Sequence, residues 1–92
     1  MRKIIQRTKG FEKDFKKINK QYQVKFLEKL GIFIDNEFDI SLKTHELKGK
    51  RKGEFSFSVS GDIRAIYKKE ILNNQEIIIF KFFRIGTHNR VY

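Results

Sequence analysis

Ninety-two residues suit one domain with a single modest core, and the absence of cysteine excludes disulfides and thiolate metal sites. Lys and Arg number 21 against 11 Asp and Glu, a formal net charge of +10 that marks a polyanion as the expected partner. With 39 % hydrophobic and 14 % aromatic residues, the composition is that of a folded basic domain and excludes a disordered basic tail.

The opening MRKIIQRTKG is charged and has no apolar leader core. The longest apolar run, Ile77 to Phe80, is far below spanning length, so a cytoplasmic location without a membrane partner is expected. No repeat, proline-rich linker or low-complexity stretch divides the chain, which predicts one domain over 1–92.

Residues 2–6 predict a short first strand around Ile4 and Ile5. Phe11, Phe15 and Ile18 follow at i, i+4, i+7, the stripe of an amphipathic helix starting near Thr8. The stripe pauses at Asn19 and Lys20. From about Gln21 a second helix is predicted, with Tyr22, Phe26, Leu30, Phe33 and Ile34 at helical spacing, so the two helices form a hairpin. Residues 35–53 read as a long connection, acidic at first and then basic: Lys43, Lys48, Lys50, Arg51 and Lys52 face the single acid Glu46.

At Glu54 the period changes from 3.6 to 2. Phe55, Phe57 and Val59 alternate with Ser56, Ser58 and Ser60; Ile63, Ala65 and Tyr67 alternate with Arg64, Ile66 and Lys68. Joining the two apolar sets on one face places Val59 opposite Ile63 across a three-residue loop, Ser60–Gly61–Asp62, and Ser58 beside Arg64. After a turn at Asn73 and Asn74, residues 76–85 are nearly all apolar, as for a central strand covered on much of both faces. The predicted fold is α+β: a short strand, a helical hairpin and a three-stranded antiparallel meander, with the helices on one sheet face. The other face, bearing Ser56, Ser58 and Arg64, is expected to be open.

Only two histidines occur, His45 and His88. Imidazole, with a reference pKa near ~6.5, serves as acid or base at neutral pH. Metal-free RNA cleavage needs both, together with cations for the crowded phosphate. HExxH, GxxxxGK[ST] and GxSxG are absent, and the carboxylates are too scattered for a two-metal cluster, so no metal or cofactor is expected. The basic group Lys48, Lys50, Arg51 and Lys52 is expected to face RNA, with Arg84 near the end of the central strand a further phosphate candidate.

The run THELKGKRKGEFSFSVSGDIRAIYK and the later FFRIGTHNRVY resemble the RelE/ParE superfamily of bacterial toxins, closest to its YafQ-like mRNA interferases. The shared features are a His-x-Leu-x-Gly loop, a strand opened by glycine, a hairpin leading into Asp-x-x-x-Ile-Tyr, and Gly-Thr-His with an aromatic residue four positions later. The resemblance implies the same fold and a type II toxin that cuts mRNA on the ribosome without a metal. It implies catalytic positions at His45, Asp62, His88 and Tyr92, and a phosphate contact at Arg64. Ser58 stands where that branch has a third histidine, and Ile63 where it has a tryptophan. The implied partners are mRNA, the ribosome with its RNA, and a cognate acidic antitoxin, the toxin being a monomer when free and a hetero-oligomer with its antitoxin. Two other functions share the fold: a ParE-like inhibitor of DNA gyrase, and a catalytically inactive RNA- or antitoxin-binding domain.

Overall fold

The computed structural model describes residues 1–92 and orders them as β1 (Arg2–Arg7), α1 (Lys9–Lys17), α2 (Lys20–Asp35), β2 (His45–Glu46), β3 (Glu54–Ser60), β4 (Ile63–Leu72), β5 (Ile77–Thr87) and α3 (His88–Val91). The sheet runs β1-β5-β4-β3-β2. β1 lies parallel to β5, with Ile4 opposite Ile79 and Ile5 opposite Phe80; the helical hairpin carries the chain from this edge to β2 at the other, and the meander returns it to β5. No helix is long and apolar enough to cross a membrane.

Local chemistry sets the helix ends. The Thr8 hydroxyl accepts the Phe11 N–H at 3.1 Å and starts α1. The side-chain amide of Gln23 donates to the carbonyls of Phe15 and Ile18, which stitches α2 to the otherwise unsatisfied end of α1. Both helices press one face on the sheet, and the core between them is aromatic. Phe33 is fully buried with ring centroids 4.8 Å from Phe80, 5.0 Å from Tyr67 and 5.1 Å from Phe57, while Phe26 lies 5.7 Å from Phe82. Such edge and tilted pairs add to the area burial of each ring.

The one polar tip in this core is satisfied. The Tyr67 hydroxyl donates to Glu37 Oε2 at 2.6 Å, and Lys69 Nζ bonds the same carboxylate at 3.0 Å. Burial first, and the neighbouring carboxylate second, push the Tyr67 phenol far above its ordinary range.

The predicted strand, helical hairpin and antiparallel meander are all present, and four details differ. First, the β3–β4 turn has two residues, Gly61 and Asp62. Ser60 pairs with Ile63, and Val59 is the extra residue of a bulge, which keeps both Val59 and Ile63 on the core side without a third loop residue. Gly61 takes φ +51°, which glycine adopts without a Cβ penalty. Second, the connection over 35–53 is not irregular throughout: 3₁₀ turns at Ile40–Leu42 and Gly49–Arg51 bracket β2, which adds an edge strand beside β3. Third, Ile34 does not share the buried stripe of α2 and is 40 % exposed, because Tyr22, Phe26, Leu30 and Phe33 already occupy the arc facing the sheet. Fourth, the second sheet face is not open. α3 folds back over β4 and β5, Val91 is buried, and Ile66 and Ser56 beneath this cover lose all exposure.

Candidate active site

Three pieces of chain meet on the face opposite the helices. β2 brings His45 into register with Ser56 of β3. The β3–β4 hairpin brings Ser58 opposite Arg64, with Asp62 in the turn. The last helical turn brings His88 and Tyr92, four residues apart and therefore on one side of it. Asp62 and His88 are joined through the main chain, the His88 N–H donating to the Asp62 carbonyl at 3.0 Å.

Tyr92 is the hub. Its ring centroid lies 4.1 Å from that of His88 and 6.5 Å from that of His45, so both histidines border one phenol. Its hydroxyl bonds Ser56 Oγ, the polar partner that the fully buried serine requires. The terminal segment thus carries His88 and Tyr92 across this face, anchored at Ser56. Parity along β3 puts Ser56 on this face; its burial depends on the fold of α3, which sequence pattern does not reveal.

Both imidazoles are exposed. His45 Nδ1 lies 3.2 Å from the carbonyl of Lys43, whose left-handed backbone (φ 52°) turns the chain into β2. A proton on Nδ1 satisfies that carbonyl and directs the lone pair of Nε2 outward.

Arg64 meets its predicted neighbour: Nη1 donates to Ser58 Oγ at 3.1 Å and to the Gly61 carbonyl at 2.9 Å. All its hydrogen bonds run through Nη1, which leaves Nε and Nη2 for an anion. Ser58 thereby steadies a cation at the position where a third imidazole was missed.

The basic group divides. Lys48, Lys50 and Lys52 are exposed, whereas Arg51 turns inward to the Glu54 carboxylate and to the carbonyls of Val91 and Tyr92. Arg84 is similarly engaged: Nε bonds Asp14 at 2.8 Å and Nη2 bonds the Arg90 carbonyl at 3.2 Å. Both arginines, expected among the RNA contacts, are instead committed to acids: Glu54 stands only three residues beyond Arg51, a spacing visible in the sequence, whereas Asp14 and Arg84 are 70 residues apart and meet only in the fold. A cleft of about 230 Å³ bordered by Lys17, Tyr22, Arg84, Thr87 and Arg90 adjoins the site beyond the last helical turn. No three His, Asp or Glu side chains converge as a group that could hold a metal ion.

The arrangement combines two exposed imidazoles, an aromatic surface and a guanidinium with free donors. It can move protons and stabilise phosphate charge in the same place.

The family model described as "Bacterial toxin of type II toxin-antitoxin system, YafQ" matches residues 3–92. No curated protein sequence matches. Among solved structures, the chain is similar to YafQ of E. coli strain BL21(DE3), with TM-score 0.72 and 25 % identity over 99 % of both chains. It is also similar to a chain of the E. coli DinJ-YafQ toxin-antitoxin complex, with TM-score 0.71 and 26 % identity over 100 % of this chain and 99 % of that one. Similarity to a chain of the archaeal RelE-RelB complex of Pyrococcus horikoshii OT3, TM-score 0.67 at 18 % identity over 99 % of this chain and 100 % of that chain, concerns the fold alone.

Proposed function

Since the chain belongs to the YafQ family of bacterial toxins of type II toxin-antitoxin systems, we propose that it is an endoribonuclease that stops translation by cutting mRNA on the ribosome. The observation that carries this reading is the convergence of His45 and His88 on the ring of Tyr92, beside Arg64.

In the reaction the ribose 2′-oxygen attacks the adjacent phosphorus and loses its proton to one imidazole. The bond from phosphorus to the 5′-oxygen breaks, and the other imidazole protonates that oxygen. The products are a 2′,3′-cyclic phosphate and a 5′-hydroxyl end. Arg64 offers Nε and Nη2 to the phosphate oxygens as their charge grows, and the exposed Tyr92 ring is a surface on which a base can stack. Asp62, exposed in the turn and joined to His88 through the main chain, adds a carboxylate to the rim of the site. Lys48, Lys50 and Lys52 hold the flanking backbone.

The antitoxin partner follows from kinship with a chain that forms a complex with DinJ, and charge complementarity favours an acidic segment on a protein of net charge +10.

The decisive experiment adds the purified protein to programmed ribosomes with and without EDTA. Cuts within codons, cyclic phosphate ends and indifference to the chelator are expected. Intact mRNA alongside arrested DNA replication in expressing cells would replace this reading with gyrase inhibition; intact mRNA with normal replication would leave a binding domain.

A further inference from the structure

The last helical turn has little to hold it by itself. Its four residues are far too few for an autonomous helix, and its final carbonyls have no partners within the turn. One intraturn bond closes it, Tyr92 N–H to the His88 carbonyl at 3.0 Å. Yet this turn carries two of the side chains on which the proposed chemistry depends.

Arg51 supplies what the turn lacks. Its Nη1 donates to the Val91 carbonyl at 2.7 Å and, more weakly, to that of Tyr92 at 3.4 Å. Its other two nitrogens grip one oxygen of Glu54, Nε at 2.7 Å and Nη2 at 2.6 Å. The Glu54 side chain is only 17 % exposed and stands at the start of β3, so the fork is anchored to the sheet. The guanidinium is planar and presents its donors in fixed directions, so a carboxylate on one edge orients the other edge toward the carbonyls. The neighbouring backbone permits the inward turn: Gly49 and Gly53, on either side of the basic run, take φ of +68° and +99°.

We propose that Arg51 is a positioning residue, which with Glu54 clasps the last helical turn to β3 and thereby sets His88 and Tyr92 against His45, rather than a contact to RNA. The consequence for catalysis rests on the endoribonuclease reading; the clasp itself does not.

Arg51→Gln and Glu54→Gln separate the two roles. In a clasp both partners are needed, so both variants lose function in the same direction. For a phosphate contact they diverge, because Glu54 would then be an anion restraining the useful cation. Two readouts are combined on the full chain after thermal unfolding has verified each fold: NMR hydrogen exchange at the Tyr92 and His88 amides, and kcat and KM on programmed ribosomes. In both variants the Tyr92 and His88 amides are expected to exchange roughly tenfold faster or more, as for loss of a charge-assisted bond. Both should lower kcat with little change in KM, and the double variant should be no worse than either single one. Unchanged exchange in Glu54→Gln, which keeps shape and removes only charge, overturns the clasp. Undiminished or faster cleavage by Glu54→Gln, with a raised KM in Arg51→Gln, assigns Arg51 to RNA instead. A wild-type protein that cuts no mRNA defeats the endoribonuclease reading and still leaves exchange to decide whether the clasp exists.

Discussion

His88 and Tyr92 touch because they are four residues apart on one helical turn, whereas His45 reaches the same phenol through pairing of β2 with β3. If the two imidazoles carry the proton transfers, His45→Ala and His88→Ala each slow cleavage about 10²-fold or more with folding intact, since both are exposed. Ser58→Ala has a much smaller effect, because its hydroxyl only steadies Arg64 and does not titrate near neutrality. Rates on programmed ribosomes check all three, and wild-type rates in both histidine variants would sink the acid-base assignment. A second residue governs stability at high pH. The Tyr67 phenol is held protonated in the fold well above its ordinary 10.0, so the unfolded chain releases a proton that the native state retains. Its contribution is full below pH 10 and lost as pH rises above it, at up to about 1.4 kcal/mol per unit. Tyr67→Phe is expected to cost about 1.5–3 kcal/mol at pH 7 through the lost bond to Glu37, and to flatten the alkaline decline. Urea unfolding from pH 7 to 11 measures both; an equally steep decline in the variant would exclude Tyr67 as its source.

Between residues and the whole lie the joints of elements, and α1 makes an unusual one with β5. β1 pairs with β5 only as far as Phe82, so Ile85 beyond it presents an edge N–H, which Asp14 of α1 accepts at 3.2 Å with the same oxygen that binds Arg84. Asp14→Asn is expected to lower stability by about 1–3 kcal/mol, because one charge-assisted pair weakens and a strand-edge donor is less well matched. A denaturant midpoint equal to wild type would show that water replaces the carboxylate freely. This level is also where sequence pattern loses its reach. Alternation along residues 54–68 is a direct consequence of one buried face, so Ser58 opposite Arg64 was legible, as were the stripes of Phe11 and Phe15 and of Phe26 and Phe33. β2 was not: two polar residues carry no period, and they form a strand only because β3 offers an unpaired edge. The bulge at Val59 leaves the same alternation as a longer loop. α3 was hidden too, since His-Asn-Arg-Val has no helical signal of its own and is held by Arg51, Arg84 and the burial of Val91. The candidate residues were therefore readable as a set, while their mutual contacts were not.

Across the whole molecule, charge is the dominant organising feature. Four ion pairs engage four of the 11 acids, and three of those acids, Asp14, Glu37 and Glu54, sit at structural joints with Arg84, Lys69 and Arg51. Those cations are consumed inside the protein, so attraction for a polyanion falls to side chains left in solvent, among them Lys48, Lys50 and Lys52 beside β2 and the partly free guanidinium of Arg64. Their placement predicts how RNA affinity responds to salt. Each phosphate neutralised on a single strand contributes about −0.7 to the slope of log K against log salt, so about four contacts give roughly a 50-fold loss between 50 and 200 mM. Lys48→Ala or Lys52→Ala should each make the slope shallower by about 0.7, uniformly across RNA sequences, because a lysine on a phosphate reads no base. Arg51→Gln should leave the slope unchanged, since Arg51 is already committed to Glu54 and the Val91 carbonyl. Titrations of short single-stranded RNA at several salt concentrations measure all three slopes. Affinity flat with salt would remove the electrostatic account of binding, and a slope reduced in Arg51→Gln as much as in the lysine variants would return that arginine to the RNA.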